Sequence, residues 1–478
     1  MRILVLVLIS SVVLSLANPP WIPNIKVSQD PGTGNQNETT MAIYQDTLVC
    51  GGWNDSRQGI YNVGFARSTN GGLTWAETLM IEPTYPSDCD PCIVVNDSGH
   101  ICYVWLSYNA STYRGDIYLT KSRDWGRTWG PSLCLTPGTP NTLDDKPWVT
   151  VDGNYMFLTW YDYGGTNQLR FKRSTDYGQT WSSAVTIGSG GNGTWPIRGT
   201  GQNLFVGWGM QDIRLNRSTN LGQTWLGQQT IITCPWSPPT TPYRLNNIPA
   251  WATSNDRTRI YVVFADSRWG SGQLDVSFSR STDQGLTWSA PVKINDTPSG
   301  DTTLQFYPAI AVDPNDNIHV VWHDTRGRSR YYIGQYYAYS TDYGVTWSAN
   351  QRVSDTVAYT NTFIGDYTAC AAGNLYISAL WCDCRNGSTN PDIYFSRCLN
   401  QIGIQETYKR GSFEKKLKLN FPNPFTRNSR ITYSPDDAEL LIYNAEGRKV
   451  KEFSTPGVYF IKIKKGRQEA IKKLVFIN

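Results

Sequence analysis

One eight-residue pattern occurs six times in this 478-residue chain, and it constrains the fold more than any other feature. The copies begin at Ser68, Ser122, Ser174, Ser218, Ser281 and Ser340 and read Ser-x-Asp/Asn-x-Gly-x-Thr-Trp. Their serines lie 44 to 63 residues apart, the length of one four-stranded blade of a β-propeller. Each position has a task in a turn. Asn70, Asp124, Asp176, Asn220, Asp283 and Asp342 can accept hydrogen bonds from turn amides, and the Gly supplies a positive φ. The Trp then fills the gap between neighbouring blades. Six equivalent copies cannot all be one active site, so these residues are read as structural.

Seven strands, not six, end in the same apolar run. They include Leu48 to Trp53, Ile101 to Trp105, Met156 to Trp160, Leu204 to Trp208, Ile260 to Phe264, Ile318 to Trp322 and Leu375 to Trp381. The seventh unit continues through Asp392 to Arg397 and then lacks a box. Residues 25–28 resemble the segments that follow the boxes, so the N-terminus is expected to supply the missing outer strand and close the ring. The expectation is an all-β, seven-bladed propeller over 18–400, with six blades as the alternative.

The octets resemble the Asp boxes, or bacterial neuraminidase repeats, of the sialidase superfamily. That resemblance implies a glycan-acting propeller, exo-α-sialidase-like in the extreme case. The box also occurs in propellers of other activities, so a non-catalytic surface propeller that binds a glycan or protein is the second expectation. Sialidases use an Arg-Ile-Pro-like motif and a Tyr nucleophile assisted by Glu. Here Ile22-Pro23 lacks the Arg, Trp195-Pro196-Ile197-Arg198 has another order, and no glutamate lies between Glu82 and Glu406. Only Glu38, Glu77 and Glu82 remain in the body.

The loop after each second strand must lie on the face opposite the boxes. There Asp55-Ser56-Arg57, Asp266-Ser267-Arg268, Asp324-Thr325-Arg326 and Asp383-Cys384-Arg385 recur, with Asp162 in the equivalent place without its Arg. Arg57, Arg268, Arg326 and Arg385 could converge to clamp a carboxylated sugar through bidentate bonds, or each could brace its own loop. Asp162, Asp266 and Asp324 are carboxylate candidates for catalysis, with Asp144, Asp145, Asp301 and Asp366 beside them, and the sequence does not rank the seven. Tyr161, Tyr163 and Tyr367 are candidate nucleophiles that also suit packing.

The ends of the chain carry address information. Met1-Arg2 and the apolar residues that follow, closed by Ser15-Leu16-Ala17, read as a signal peptide over 1–17; the run is too short to span a bilayer. After a linker at 401–414, residues 415–478 show an alternating β pattern that includes Phe421-Pro422-Asn423-Pro424 and Gly457-Val458-Tyr459. This segment resembles the C-terminal sorting domain of type IX secretion, a small β-sandwich; an immunoglobulin-like accessory sandwich would show the same strands. The resemblance implies a secreted or outer-surface protein whose partners are the secretion machinery and an extracellular glycan or glycoprotein.

Charge agrees with these classes. The segment from Lys409 carries a net charge of +9 and the remainder −5, so no basic stripe for nucleic acid runs through the body. Cys382-Asp383-Cys384 is not C-x-x-C and the chain has three histidines, so no zinc site is expected, and neither is another metal or cofactor. Export makes the ten cysteines compatible with disulfides, whose connectivity spacing cannot fix.

Overall fold

The computed structural model describes residues 20–29, 34–138, 142–164, 167–209 and 211–400, together with parts of 418–476. The proposed signal peptide and linker lie outside the described residues. No helix occurs among those described, and none is long and apolar enough to cross a membrane.

Antiparallel pairing builds seven four-stranded units. The first comprises Gln36–Tyr44, Leu48–Asp55, Asn62–Ser68 and Ala76–Met80. The second and third, residues 87–134 and 143–189, are fused into one eight-stranded sheet by a single parallel pair, Leu143 with Gly115. Residues 192–232, 250–293 and 305–352 form the next three. The seventh unit has Ala369–Ala372, Tyr376–Asp383 and Asp392–Leu399, and its outer strand is Ile25–Lys26, with Ile25 opposite Phe395 and Lys26 opposite Tyr394. The first strands touch one another in cyclic order, and the last, Ala369–Ala372, returns to Gln36–Tyr44. The ring is therefore closed by the chain's own N-terminus, leaving no open seam.

The second strand of each unit is buried on both faces, which explains its unbroken apolar run. Trp53, Trp105, Trp160, Trp208, Trp322 and Trp381 are buried there, with Phe264 in the fifth unit. The boxes then lock each unit to the one before it. Asp283 accepts the Ser281 hydroxyl at 2.8 Å, the Thr287 amide at 2.9 Å and the Thr287 hydroxyl at 2.6 Å, while the Ser281 Oγ accepts the Gly285 amide at 2.8 Å. The Asn copies reverse one bond: Asn70 Nδ2 donates to Thr74 Oγ1 at 2.9 Å. Trp129, Trp225 and Trp347 stand edge-on to Phe65, Phe171 and Phe278 of the preceding units. A box glycine makes room for such a ring: Gly72 has φ +91°, and a Cβ there would lie 2.2 Å from Phe395.

All ten cysteines are free thiols, most of them buried. Burial pushes the Cys92 thiol up to about 12, so it behaves as an apolar packing group. The C-terminal segment forms a four-stranded sheet from Glu439–Asn444, Lys449–Val450, Gly457–Lys465 and Gln468–Phe476, and a two-stranded sheet from Lys418–Asn420 and Thr432–Ser434. Tyr459, Ile461, Leu474 and Phe476 make its core.

Candidate functional site

The innermost strands are broken by β-bulges at equivalent places. Register shifts occur between Asn37 and Thr40, Cys89 and Cys92, Asp145 and Trp148, Asn192 and Trp195, and Phe306 and Ala309. Each bulge holds one residue at positive φ: Glu38, Asp90, Lys146, Gly193 and Tyr307. A proline follows in Asp90-Pro91, Lys146-Pro147 and Tyr307-Pro308, where the missing amide suits a strand edge facing the axis. Strained, positive-φ charged residues are costly, and a bulge is a common device for aiming a side chain into a site.

Four of these bulges, those of Glu38, Asp90, Lys146 and Asn192, line a cavity of about 840 Å³. Its walls include the aromatic rings of Tyr61, Tyr108, Tyr163, Trp236 and Phe363. First-strand starts and second-strand ends line it, so it opens on the face away from the boxes, the face that also carries the Asp-x-Arg loops.

Lys146 is the centre of the polar cluster. Its buried Nζ lies 2.8 Å from Asp366, 3.0 Å from Asp90 and 3.4 Å from Glu38, and 5.4 Å from the centre of the Tyr367 ring. Arg244, from the long loop before the fifth unit, grips Asp366 with two nitrogens, Nε at 2.6 Å. Asn246 Nδ2 donates to Asp366 at 2.8 Å, and Asn54 Nδ2 donates to Glu38 at 3.0 Å. Asp145 lines the same cavity, with Asn192 Nδ2 at 3.5 Å.

These carboxyls are not equivalent. Burial, reinforced by repulsion from Asp90, pushes Asp145 up to about 8 against the attraction of Lys146. Burial likewise raises Glu38 well above the carboxylate range, with Asp90 adding to the rise. Asp90 and Asp366 move the other way. Burial is the largest single influence and would raise both, but it is outweighed by Lys146 together with Arg244 at Asp366, and by Lys146 together with hydrogen bonds from Glu38 and Asp145 at Asp90. The cavity thus combines protonated acids with ionised carboxylates, a division of labour that acid–base chemistry requires.

The four loop arginines are placed elsewhere. Arg57 pairs with Asp55 and Glu77, Arg268 with Asp266, Arg326 with Asp324 and Asp296, and Arg385 with Asp383 and Asp355. None of the four lines the cavity. Trp53, Trp322 and Trp381 donate their indole N–H to Asp55, Asp324 and Asp383, so three of the four loops are local braces of Trp, Asp and Arg, and the fourth is a brace of Asp266 and Arg268 alone. The loop aspartates go with them: Asp266 and Asp324 are held by their own arginines, and Asp162 pairs in register with Asp144 outside the cavity. Burial pushes Asp144 up to about 7, and it accepts the Trp160 indole N–H. Asp301 caps its own turn through Thr303. Of the remaining candidates, Asp145, Asp366 and Tyr163 line the cavity; Tyr161 packs against Tyr163, with ring centres 4.4 Å apart.

Sequence reasoning missed Asp90, Lys146 and Arg244. A signal did exist in the recurrent Asp-Pro, Lys-Pro and Tyr-Pro pairs ahead of the apolar second strands. Arg244 had none, because a long loop delivers it.

Residues 420–478 match the family described as the secretion system C-terminal sorting domain. The chain ends in a sorting domain. It is accordingly a secreted or outer-surface protein, and the secretion machinery that reads this domain is its partner. No curated protein sequence matches the chain. Among solved structures, a Hadza microbial sialidase is 15% identical with a TM-score of 0.46, over 60% of this chain and 63% of that one. The chain thus spans less than two thirds of that sialidase. An α-L-arabinanase from Penicillium chrysogenum is 12% identical with a TM-score of 0.47, over 80% of this chain and 99% of that one. A protein of unknown function from Dyadobacter fermentans is 10% identical with a TM-score of 0.46, over the same shares.

Proposed function

We propose that this exported propeller acts on extracellular glycans, and that its central cavity is a glycoside-cleaving site. The observation that carries the reading is the set of Glu38, Asp90, Asp145 and Asp366 around buried Lys146, inside an aromatic-walled cavity. A sugar ring needs apolar faces to stack on and polar groups around its rim, and this cavity offers both. Glycoside cleavage needs one carboxyl that keeps its proton near neutral pH and another that stays ionised. Asp145 fits the first role and would protonate the departing glycosidic oxygen. Asp366, held ionised by Lys146 and Arg244, fits the second and would stabilise positive charge at the anomeric carbon. Asp90 would act through Asp145, setting its proton affinity.

The loop arginines play no part in this reading, because each is neutralised within its loop. A binding propeller without turnover is the second reading, and the triple engagement of Lys146 favours it, since carboxylates so tied are less free to react. Incubating the purified protein with fluorogenic glycosides separates the two. Turnover of at least one glycoside, reduced about a hundredfold or more by Asp145→Asn in a variant with an unchanged melting temperature, is expected of the enzyme. Saturable sugar binding with no turnover would establish the binding reading.

A further inference from the structure

We infer that the cavity selects sugars that carry no carboxylate. This rests on the glycan reading above and names its substrate class, contrary to the acidic sugar that the box repeats bring to mind. Five carboxyl side chains line the cavity, Glu38, Asp90, Asp145, Asp212 and Asp366, against three cations, Lys146, Arg214 and Arg244. Two of those cations are already paired with carboxylates, and the third is bonded to backbone carbonyls. Lys146 lies within 3.4 Å of three carboxyl groups, the ionised Asp90 and Asp366 among them. Arg244 holds Asp366 through two nitrogens and stacks over Phe363 with its guanidinium carbon 4.7 Å from the ring centre. Arg214 donates to the carbonyls of Ser189 and Gly190, each at 3.0 Å.

An entering carboxylate would therefore lose its water and find only Arg214 not already paired with a carboxylate, while approaching Asp90 and Asp366 in their ionised forms. Breaking into the Lys146 cluster would leave a resident carboxylate buried without its partner. A neutral sugar meets no such opposition. Its hydroxyls can exchange hydrogen bonds with carboxyl oxygens and with the side-chain amides of Asn192, Gln211 and Asn247, while its apolar face meets the tyrosines and Trp236. The four Asp-x-Arg loops lend no help to an anion, because their arginines are paired outside the cavity.

The test is calorimetric titration of the purified protein with methyl glycosides of arabinose, galactose, glucose, mannose and fucose, and in parallel with N-acetylneuraminic acid and glucuronic acid. At least one neutral sugar is expected to bind about tenfold or more tighter than either acid. An acid that binds as tightly as the best neutral sugar overturns the inference and leaves the glycan reading standing. Saturable binding by no sugar overturns both. Asp366→Asn supplies a second arm, since it removes the carboxylate shared by Lys146 and Arg244. In folded variant protein, affinity for the two acids should rise about tenfold or more; unchanged affinity would show that committed cations are not the cause, and would overturn the inference. Should that variant fail to fold, the comparison of sugars on the unaltered protein decides alone.

Discussion

Trp75 of the first Asp box stands edge-on to Phe395 of the seventh unit, with ring centres 5.2 Å apart and planes at 69°. The two residues are separated by most of the propeller's sequence, yet they repeat the contact that Trp129 makes with Phe65 and Trp347 with Phe278. The last unit, which has no box of its own, is therefore held by its neighbour's box on one side and by Ile25–Lys26 at its outer edge. Closure uses the same packing as every other interface, supplemented by a borrowed strand.

Replacing Phe395 with Ala should cost about 3–5 kcal/mol, the usual range for truncating a buried aromatic ring. Phe395 is fully buried in the core cluster that also contains Val27 and Trp53. Denaturant melts of the variant measure the loss. A change near zero would mean that the seam carries no stability.

Asp283→Ala should cost less, about 1 kcal/mol, because the turn amides it releases are open to water. The carboxylate is held down at about 2, since its hydrogen bonds from Thr287 and Ser281 outweigh the upward pull of burial. Its stabilising contribution is present at neutral pH and is lost as pH falls from about 4 through about 2. The difference between wild type and variant in melts at pH 7 should therefore shrink at pH 2, and sugar binding by the variant should be unchanged.

Much of the fold is legible in the sequence because its signals are local. Ser, Asp, Gly, Thr and Trp of each box satisfy one another within eight residues, so the pattern survives any change in the blade around it. The strand of Ile25 was readable for the same reason, as a short segment resembling those that follow the boxes. The site is less legible. Glu38, Asp90 and Lys146 lie about fifty residues apart in sequence, and only the ring brings them together. The Asp-x-Arg repeats drew attention to the right face, but repetition in register with the blade is what a local brace produces. A site at the axis is built from what differs between blades: a Glu, an Asp, a Lys, a Gly and a Tyr stand at equivalent bulges.

Asp145 gives the cavity a pH signature. Its folded-state value of about 8 exceeds the ordinary carboxylate value, so between about pH 4 and 8 the folded state binds more protons than the unfolded one. This contribution is full below pH 4 and is lost as pH rises through 8. Asp90 and Asp366 are shifted downward, so their own pH-dependent contributions fall below pH 4, whereas Asp144, pushed up to about 7, and the raised Glu38 add to the same decline. The melting temperature should decline from pH 5 to pH 8, and Asp145→Asn should make that decline shallower without abolishing it. An equally steep decline in the variant would assign the proton to another group, with Glu38 the first to examine.

The last prediction concerns Lys146→Met, which keeps most of the side chain's length and removes its charge. Lys146 is the shared counter-ion of Asp90 and Asp366 and also lies against Glu38, all three of them buried. Removing one partner of a buried ion pair typically costs about 3–5 kcal/mol, because the remaining charge keeps its desolvation penalty and loses its compensation. Arg244 still holds Asp366, so the unbalanced group is chiefly Asp90, the carboxylate that Lys146 keeps ionised. Without the ammonium, burial and the neighbouring carboxyls would carry Asp90 upward, in the same direction as Asp145. A raised carboxyl contributes stability below its unfolded value and loses it as pH rises, so the penalty should be larger at pH 8 than at pH 5. Urea melts at the two values measure it. A penalty of a few kcal/mol at pH 8 that contracts at pH 5 would identify Lys146 as the charge that holds the cluster together, whereas an equal loss at both would reduce its role to packing against Tyr367.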